Sequence, residues 1–290
     1  MRVITFLALA TISSVAQDHG IFVKGSAWST VTQGHQFAEG MAFDSAGNLV
    51  FTDVPRKQLF RVDAKTGKKT LLDGETGATN GIAVGPGGTL YGCAGGDRKI
   101  YAWDMTTWKR STVAEGPHSN DIAVRKDGTI FFTDPQTQSV WRVTAGERKL
   151  EKAAALEWNP NGITLSRDHE TLYVAEFFSG NIHGFAIAAD NSLGKDTIAF
   201  KLETPADNKG HLDGMMIHHD GRVLSGTKLG LQVAPPADDK APQGKSVVVP
   251  IPDNLPRCNY VRISPDHKWL YAAHAKAILR RELDPAFARP

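Results

Sequence analysis

Cysteine is almost absent from this chain of 290 residues, which contains only Cys93 and Cys258. Two cysteines cannot build a disulfide framework, and the sequence has neither a Cys-x-x-Cys pair nor a Cys/His spacing typical of zinc ligands. These absences exclude disulfide-stapled domains, zinc fingers and thioredoxin-like redox sites. We expect the two thiols to stay unpaired, because the repeat described below places them on separate blades, too far apart for a disulfide.

An excess of charge of one sign is also lacking, since 33 Lys and Arg residues balance 31 Asp and Glu residues to a formal net charge of +2. This balance gives no electrostatic reason to expect nucleic acid or an anionic membrane surface as a partner. The Gly-x-Ser-x-Gly elbow that carries the nucleophile of serine α/β-hydrolases is missing. The stretch GPGG at residues 85–88 lacks the full Gly-x-Gly-x-x-Gly pattern of a dinucleotide site. A small molecule is the expected partner, and a monomer is the expected state.

Long hydrophobic runs are missing except at the N-terminus, MRVITFLALATISSVAQ. This stretch has one early basic residue, an apolar run over residues 3–12, and small residues at Ser14 and Ala16 where a signal peptidase would cut. We predict a cleaved signal peptide over residues 1–16 and a periplasmic or secreted mature chain of residues 17–290; a buried first strand or helix is the alternative. No other segment approaches the about 18 apolar residues of a membrane span.

A repeat with a period near 40 residues organises the rest of the sequence. Each copy has a polar residue, usually followed by glycine, then an alternating apolar strand, a turn and a second strand. Four short antiparallel strands in about 40 residues are typical of a propeller blade. The six copies begin at Glu39, Asn80, Asn120, Asn161, Asp213 and Asn259.

We therefore predict a single all-β domain, a six-bladed β-propeller over residues 17–290. After Asn259 the sequence supplies three strands, and the segment over residues 21–31 has no blade of its own. This N-terminal strand is expected to pair with the last blade and so to close the ring, since an unpaired sheet edge is a liability.

The first residue of each repeat is expected to face one mouth of the central channel, because the innermost strand of a propeller blade runs along that channel. We call these six residues the oxygen ring, since every one of them carries a side-chain oxygen. Asn and Asp also favour turns, which is the structural alternative, but this does not account for Glu39. Two carboxylates with several amides suit a hard divalent cation. Zinc is less favoured, because none of the six ring positions is His or Cys.

The residue two positions before each ring member should face the same pocket, because side chains alternate along a strand. His118 and His211 are candidates to donate protons or to bind substrate hydroxyls, although a solvated loop position is the alternative for both. Arg257 is a candidate to hold a carboxylate or a carbonyl oxygen. Asn159 belongs to the same set and is assigned to substrate binding.

Five stretches of the sequence resemble the senescence marker protein/gluconolactonase/luciferin-regenerating enzyme family of six-bladed propellers. They are AEGMAFD (residues 38–44), NGIAVGPGGTLYGC (80–93), SNDIAVRKDGTIFFTDP (119–135), PNGITLSRDHETLYVAE (160–176) and LDGMMIHHDGRVLSG (212–226). The resemblance implies a metal-dependent lactonase with one divalent cation, often calcium. Its implied ligands are Glu39, Asn120, Asn161 and Asp213, and its implied pocket-lining residues are Asn80 and Asn259. After FFTDP, the proline, tyrosine and glycine frequent in this family are replaced by QTQS.

A cation at the channel mouth would serve lactone hydrolysis by polarising the carbonyl group and by acidifying a bound water. A carboxylate that touches this cation, here Asp213, is the expected general base. Ca²⁺ is the expected cation, with Mg²⁺, Mn²⁺ and Zn²⁺ as alternatives. The alternative functions are a non-catalytic propeller that binds a sugar or a protein partner, and a quinone-dependent oxidoreductase.

Overall fold

The computed structural model describes residues 19–207, 209–237, 245–252 and 257–289. The predicted signal peptide and the predicted start of the mature chain at Gln17 lie outside these ranges. Helix is nearly absent from the described residues, where a 3-10 turn spans Pro86–Gly88 and helix α1 spans Pro285–Ala288. None of the described helices has the length and hydrophobicity needed to cross a bilayer.

Strands account for almost all of the regular structure, and all of their pairings are antiparallel. In chain order they are β1 (Ser29–Phe43), β2 (Leu49–Asp53), β3 (Gln58–Val62), β4 (Lys69–Asp73), β5 (Thr79–Val84), β6 (Thr89–Ala94), β7 (Lys99–Asp104), β8 (Arg110–Glu115), β9 (Ile122–Val124), β10 (Ile130–Asp134), β11 (Ser139–Val143), β12 (Leu150–Ala155), β13 (Pro160–Leu165), β14 (Thr171–Glu176), β15 (Asn181–Ala186), β16 (Thr197–Lys201), β17 (Met215–Ile217), β18 (Val223–Thr227), β19 (Gly230–Ala234), β20 (Val247–Val249), β21 (Tyr260–Ile263) and β22 (Trp269–Glu282).

These strands form a β-propeller, as the repeat predicts. Four sheets have four strands each, in the orders β5-β6-β7-β8, β9-β10-β11-β12, β13-β14-β15-β16 and β17-β18-β19-β20. Within each sheet the chain runs up and down from the innermost strand outwards, so every strand pairs with its neighbour in sequence. Buried aromatic side chains such as Phe51, Trp103 and Phe131 fill the space between strands and sheets.

The prediction of six separate blades is wrong, because the described residues form five sheets. The strands of the first and the last repeat belong to one six-stranded sheet in the order β21-β22-β1-β2-β3-β4. The physical reason is that β1 and β22 are long, with 15 and 14 residues, and each pairs with different neighbours along its two halves. The expectation of three separate strands after Asn259 is wrong for the same reason, since β22 is continuous.

The N-terminal half of β1 pairs with the C-terminal half of β22. Ser29 lies opposite Arg280, and Gln33 lies opposite Ala277. This pairing is shifted towards the C-terminus relative to the predicted segment over residues 21–31. Within that segment, Ser29 and Thr30 pair with β22, and an isolated bridge joins Phe22 to Leu283.

Both cysteines are buried and free, which confirms that they are not joined. Cys93 packs in a hydrophobic cluster with residues of β7, β9 and β10. Cys258 packs in a different cluster that contains residues of β18, β19 and β22. The two thiols therefore belong to separate parts of the core.

Candidate metal and active site

In five of the six repeats, the ring residue and the residue after it interrupt the regular strand pairing of their own sheet. In β1, β5 and β13 the register with the following strand shifts across this pair, as in a β-bulge. In the repeats of Asn120 and Asp213 the strand begins only after the pair, whereas β21 begins at Tyr260, the second residue of its pair. The freed backbone groups turn to the neighbouring repeat: Gly81 N–H donates to the Asn120 oxygen at 2.9 Å, and Gly214 N–H donates to the Asn259 oxygen at 2.8 Å. Hydrogen bonds between repeats thus hold parts of the ring together.

The glycine that follows a ring residue is required by the close approach of two innermost strands. A Cβ atom added at Gly40 would lie 2.3 Å from the backbone oxygen of Asn80, and one at Gly162 would lie 2.1 Å from the backbone oxygen of Asp213. No side chain fits at such distances. This close approach accounts for the recurrence of Asn-Gly and Asp-Gly at strand starts better than turn formation does.

Two threonines anchor ring residues of the next repeat. The Thr52 hydroxyl donates to the backbone oxygen of Asn80 at 2.9 Å. The Thr133 hydroxyl donates to the backbone oxygen of Asn161 at 2.7 Å, while the Thr133 backbone oxygen accepts from Asn120 N–H at 2.9 Å. Thr133 therefore positions two of the four implied metal ligands. The sequence marks both threonines by the repeated Phe-Thr-Asp at the end of the second strand, which the sequence analysis did not use.

The carboxyl groups of Glu39 and Asp213 interact within the ring, and both residues are buried, with 3% and 4% of their surfaces exposed. Burial, and then the adjacent Asp213 carboxylate, raise the pKa of Glu39 well above its ordinary value. Burial also raises the pKa of Asp213, against the opposing effect of Arg257. Ionisation of either carboxyl group is therefore unfavourable in this site unless positive charge lies nearby. Two buried carboxylates in contact form a site that a cation would stabilise.

Arg257 reaches the ring directly, because its Nη2 donates to Asp213 Oδ2 at 2.6 Å. The nearby carboxylates of Asp213 and Glu39 raise the pKa of Arg257, although burial opposes this change. The guanidinium group thus supplies positive charge to the carboxylate pair. Among the residues predicted two positions before a ring member, Arg257 has the most direct contact with the ring.

The ring also contains a buried amide that lacks a hydrogen-bond partner. Asn259 is 1% exposed, and neither its Oδ1 nor its Nδ2 has a partner among the described residues. Its backbone is fixed, since its N–H donates to Ala273 and its oxygen accepts from Gly214. An amide held in this way normally finds a partner in a bound group or water, because an unpaired buried polar group is costly.

The donor set of the ring fits a hard divalent cation. Among the described residues, no three His, Cys, Asp or Glu side chains form a group that could hold a metal ion. The ring supplies two carboxylates, and its remaining oxygens are amide oxygens, which Ca²⁺ accepts readily and Zn²⁺ rarely uses. The unpartnered amide of Asn259 agrees with an oxygen-ligand site at this mouth.

The other residues predicted two positions before a ring member differ in what they contact. The ring of His118 lies beside Gly95, where an added Cβ would come within 3.2 Å of it, and its Nδ1 is buried without a described partner. The Asn159 amide donates to the Pro135 oxygen at 3.1 Å and so holds the rim loop. His211 stacks on Phe177 with ring centroids 4.9 Å apart. The proposed roles of these three residues and of Asn80 stay predictions.

Asp121, which the sequence analysis did not select, holds together several strands that carry the ring. It follows Asn120 at the position where four of the six repeats have glycine, and it is buried. Its Oδ1 accepts from the Tyr260 hydroxyl at 3.0 Å, and its Oδ2 accepts from Ile163 N–H at 3.2 Å. Arg262 Nη2 donates to the same hydroxyl at 2.8 Å. Burial raises the pKa of Asp121 to about 6.

The sequence contained a sign of this network, because Asn120-Asp121 and Asn259-Tyr260 are the two repeats without glycine after the ring residue. The side chains at these two positions meet across the channel. A hydrogen-bonded chain of Asp121, Tyr260 and Arg262 therefore lies next to the oxygen ring.

A groove of about 650 Å³ elsewhere in the molecule does not have comparable chemistry. It lies between the β7–β8 and β10–β11 hairpins, and Asp104 is the carboxylate among its lining residues. That carboxylate accepts hydrogen bonds from the backbone of its own turn. The lining residue Arg110 pairs with Asp73 at 2.9 Å. The oxygen ring, not this groove, is therefore the candidate site.

Comparison with known proteins agrees with the resemblance seen in the sequence. The family model described as the SMP-30/gluconolactonase/LRE-like region matches residues 37–256, and the chain belongs to this family. A gluconolactonase from Zymomonas mobilis subsp. mobilis is 25% identical over 240 residues, which are 69% of this chain and 67% of that protein.

Two solved structures show the same fold. The chain matches a gluconolactonase from Xanthomonas campestris with a TM-score of 0.79 and 22% identity, over 92% of this chain and 93% of that one. It matches the calcium-binding protein regucalcin from Agrobacterium tumefaciens with a TM-score of 0.71 and 17% identity, over 91% and 98% of the two chains.

Proposed function

We propose that this protein is a metal-dependent lactonase whose active site is the oxygen ring. The observation that carries the proposal is the buried contact of Glu39 with Asp213 at the channel mouth, with Arg257 paired to Asp213. Similarity to gluconolactonases supports the choice of lactones as the substrate class.

The cation would be held by Glu39, Asn120, Asn161 and Asp213. Ca²⁺ is the first choice, and similarity to a calcium-binding protein supports it. When bound, the cation would supply Lewis acidity for the carbonyl oxygen and would favour deprotonation of water. The remaining roles belong to side chains of this protein and follow from their positions.

Asp213 is the proposed general base. It takes a proton from the attacking water as the water oxygen bonds to the acyl carbon. The ring C–O bond then breaks, and the ring oxygen leaves as a hydroxyl group after taking up a proton, for which His118 and His211 are the candidate donors. The product is an open-chain hydroxy acid, and no reactant besides water is consumed. Arg257 would hold the carbonyl oxygen of the lactone or the carboxylate oxygen of this product.

Asn80, Asn159 and Asn259 complete the proposed substrate site. Asn259 is the strongest of the three, because both polar atoms of its buried amide lack a partner in the described part of the chain. An amide can accept from a substrate hydroxyl and donate to a substrate oxygen at the same time.

Acid release measured by pH-stat across a panel of lactones tests this function. The protein is first treated with a chelator, and Ca²⁺, Mg²⁺, Mn²⁺ or Zn²⁺ is then added back separately. We expect hydrolysis that requires added metal, with Ca²⁺ most effective. Hydrolysis of no lactone under any metal would contradict the proposal and favour a propeller that only binds a sugar or a protein.

We also propose that the six-stranded sheet closes the propeller where the two chain ends meet. The support for this is the pairing of Ser29–Gln33 with β22, together with two further backbone contacts between the ends. Val23 N–H donates to the Glu282 oxygen at 3.1 Å, and Asp284 N–H donates to the Ile21 oxygen at 3.0 Å.

Export is a further part of the proposal. Residues 1–16 would direct the chain out of the cytoplasm and be removed, so that a monomer beginning near Gln17 works in the periplasm or outside the cell. N-terminal sequencing of the protein recovered from each cell fraction checks this expectation. A chain that keeps Met1 and stays in the cytoplasm would contradict it.

A further inference from the structure

The turn between β14 and β15 brings two aromatic residues to the edge of the candidate site. Phe177 N–H donates to the backbone oxygen of Asn159 at 2.8 Å, and the Phe177 oxygen accepts from Leu212 N–H at 3.2 Å. Asn159 lies two residues before Asn161 of the ring, and Leu212 directly precedes Asp213. Phe177 is therefore tied by its backbone to the approaches of two implied metal ligands.

The aromatic side chains at this edge form a continuous cluster with His211. The His211 ring stacks on Phe177, with centroids 4.9 Å apart and planes at 18°. Phe178 packs edge-on against both rings, with centroids 4.8 Å from Phe177 and 6.1 Å from His211. We call Phe177, Phe178 and His211 the aromatic wall.

The aromatic wall is linked to the reacting centre through Arg257. The guanidinium carbon of Arg257 lies 5.7 Å from the centroid of the Phe177 ring, and Nη2 of the same guanidinium donates to Asp213. A substrate whose carbonyl group lies at Asp213 and Arg257 would therefore extend towards Phe177 and Phe178.

Phe178 exposes much of its apolar side chain to solvent. It is 53% exposed, the highest value among the exposed large hydrophobic residues of the described chain. Leu71 and Ile198, which are also exposed, lie on the outermost strands β4 and β16. An exposed phenylalanine beside a candidate site gains from contact with an apolar ligand, since covering apolar surface is favourable.

Other residues in and beside the ring are polar. Asn80 belongs to the ring, His118 lies two residues before Asn120, and Gly95 lies against the imidazole of His118. The site thus has one apolar and one polar side. A ligand that matches both sides has a polar ring and one apolar substituent.

We propose that the aromatic wall selects lactones that carry an aromatic or alkyl group over polyhydroxylated sugar lactones. This inference rests on the proposed lactonase function and defines its substrate class. Phe177 and Phe178 are specificity-determining residues in this proposal, and Phe178 contributes the exposed contact surface.

The test compares kcat/KM for four lactones, with spontaneous hydrolysis subtracted. Dihydrocoumarin and δ-decalactone carry an aromatic and an alkyl group, whereas δ-valerolactone and glucono-δ-lactone carry neither. The variants are Phe178→Ala, Phe178→Leu and the control Ile198→Ala, which removes an exposed apolar side chain from an outer strand.

For wild-type protein we expect kcat/KM to be higher for the two apolar lactones than for glucono-δ-lactone. Phe178→Ala should lower kcat/KM for the apolar lactones roughly 10-fold, mainly through a higher KM, because apolar contact surface is lost. Phe178→Leu should retain most of the activity, and Ile198→Ala should change nothing.

The opposite results separate this inference from the proposed function. Equal effects of Phe178→Ala on all four lactones, or no effect on any, would overturn the role of the aromatic wall while leaving the lactonase function intact. A preference of the wild-type protein for glucono-δ-lactone would also overturn it. If the protein opens none of the four lactones in the presence of metal, the proposed function and this inference both fail.

Discussion

Replacement of Gly162 by alanine should damage both the fold and the metal site. The new Cβ would lie 2.1 Å from the Asp213 oxygen, whereas an ordinary contact needs at least 3.4 Å, so the two strands must separate by about 1.3 Å. This atom is backbone and cannot rotate away. Overpacking of this kind costs about 1–3 kcal/mol, and we expect the upper end of that range, about 2–3 kcal/mol. For a domain of this size, that corresponds to a fall in Tm of about 4–5 °C.

Urea and thermal unfolding of Gly162→Ala measure this loss, and calcium titration of the same variant measures the effect on the ring. The displaced strand carries Asp213, so the affinity for Ca²⁺ should fall as well. Gly74→Ala is the matched control, because its nearest neighbouring atom would be 3.8 Å away. The control should stay within about 0.5 kcal/mol of wild type. A Gly162→Ala protein with wild-type stability would refute the close approach of the two strands.

Three further predictions concern stability. Asp121→Ala leaves three buried donors, Ile122 N–H, Ile163 N–H and the Tyr260 hydroxyl, without their acceptor. It should cost about 2–4 kcal/mol in urea unfolding, against about 1 kcal/mol for Tyr260→Phe, and equal losses would contradict the network. Deletion of residues 19–33 exposes the edge of β22 and should cause aggregation or a large fall in Tm; an unchanged Tm would disprove closure by the chain ends. Burial tends to raise the pKa of Asp44, but hydrogen bonds from Asn48 and other donors outweigh burial and lower it. The stabilisation that Asp44→Asn removes should therefore be full above pH 3.8 and vanish as the pH falls through the lowered pKa. A difference in unfolding free energy between wild type and Asp44→Asn that persists in acid would contradict this assignment.

The sequence predicted the propeller class, and it supplied the oxygen ring as a candidate site, because both follow from local patterns. The period near 40 residues reports the blade, and the polar residue before each innermost strand reports the channel mouth. These patterns survive in the structure even where the register shifts, since the residue pairs Glu39-Gly40 and Asn161-Gly162 are the positions that leave the ladder.

The features that the sequence did not predict depend on contacts between distant residues. The joining of the first and last repeats in one sheet depends on the pairing of Ser29–Gln33 with β22, some 250 residues away, which no local pattern reports. The contact of Asp121 with Tyr260 spans 139 positions and requires the ring to be assembled first. The aromatic wall could not be predicted from the sequence, because no local pattern shows that Phe177 and Phe178 lie beside His211.

Calcium titration by calorimetry, with lactone hydrolysis measured on the same samples, tests the central claim most directly. Wild type should bind one Ca²⁺, and both Glu39→Gln and Asp213→Asn should bind it more weakly, because each variant removes a carboxylate from the ring. Saturating Ca²⁺ should restore much of the activity of Glu39→Gln but little of that of Asp213→Asn, whose amide cannot accept a proton from water. His118→Ala and His211→Ala should leave calcium affinity nearly unchanged. Wild-type calcium affinity in both carboxylate variants would contradict a metal site in the oxygen ring, and with it the proposed hydrolase.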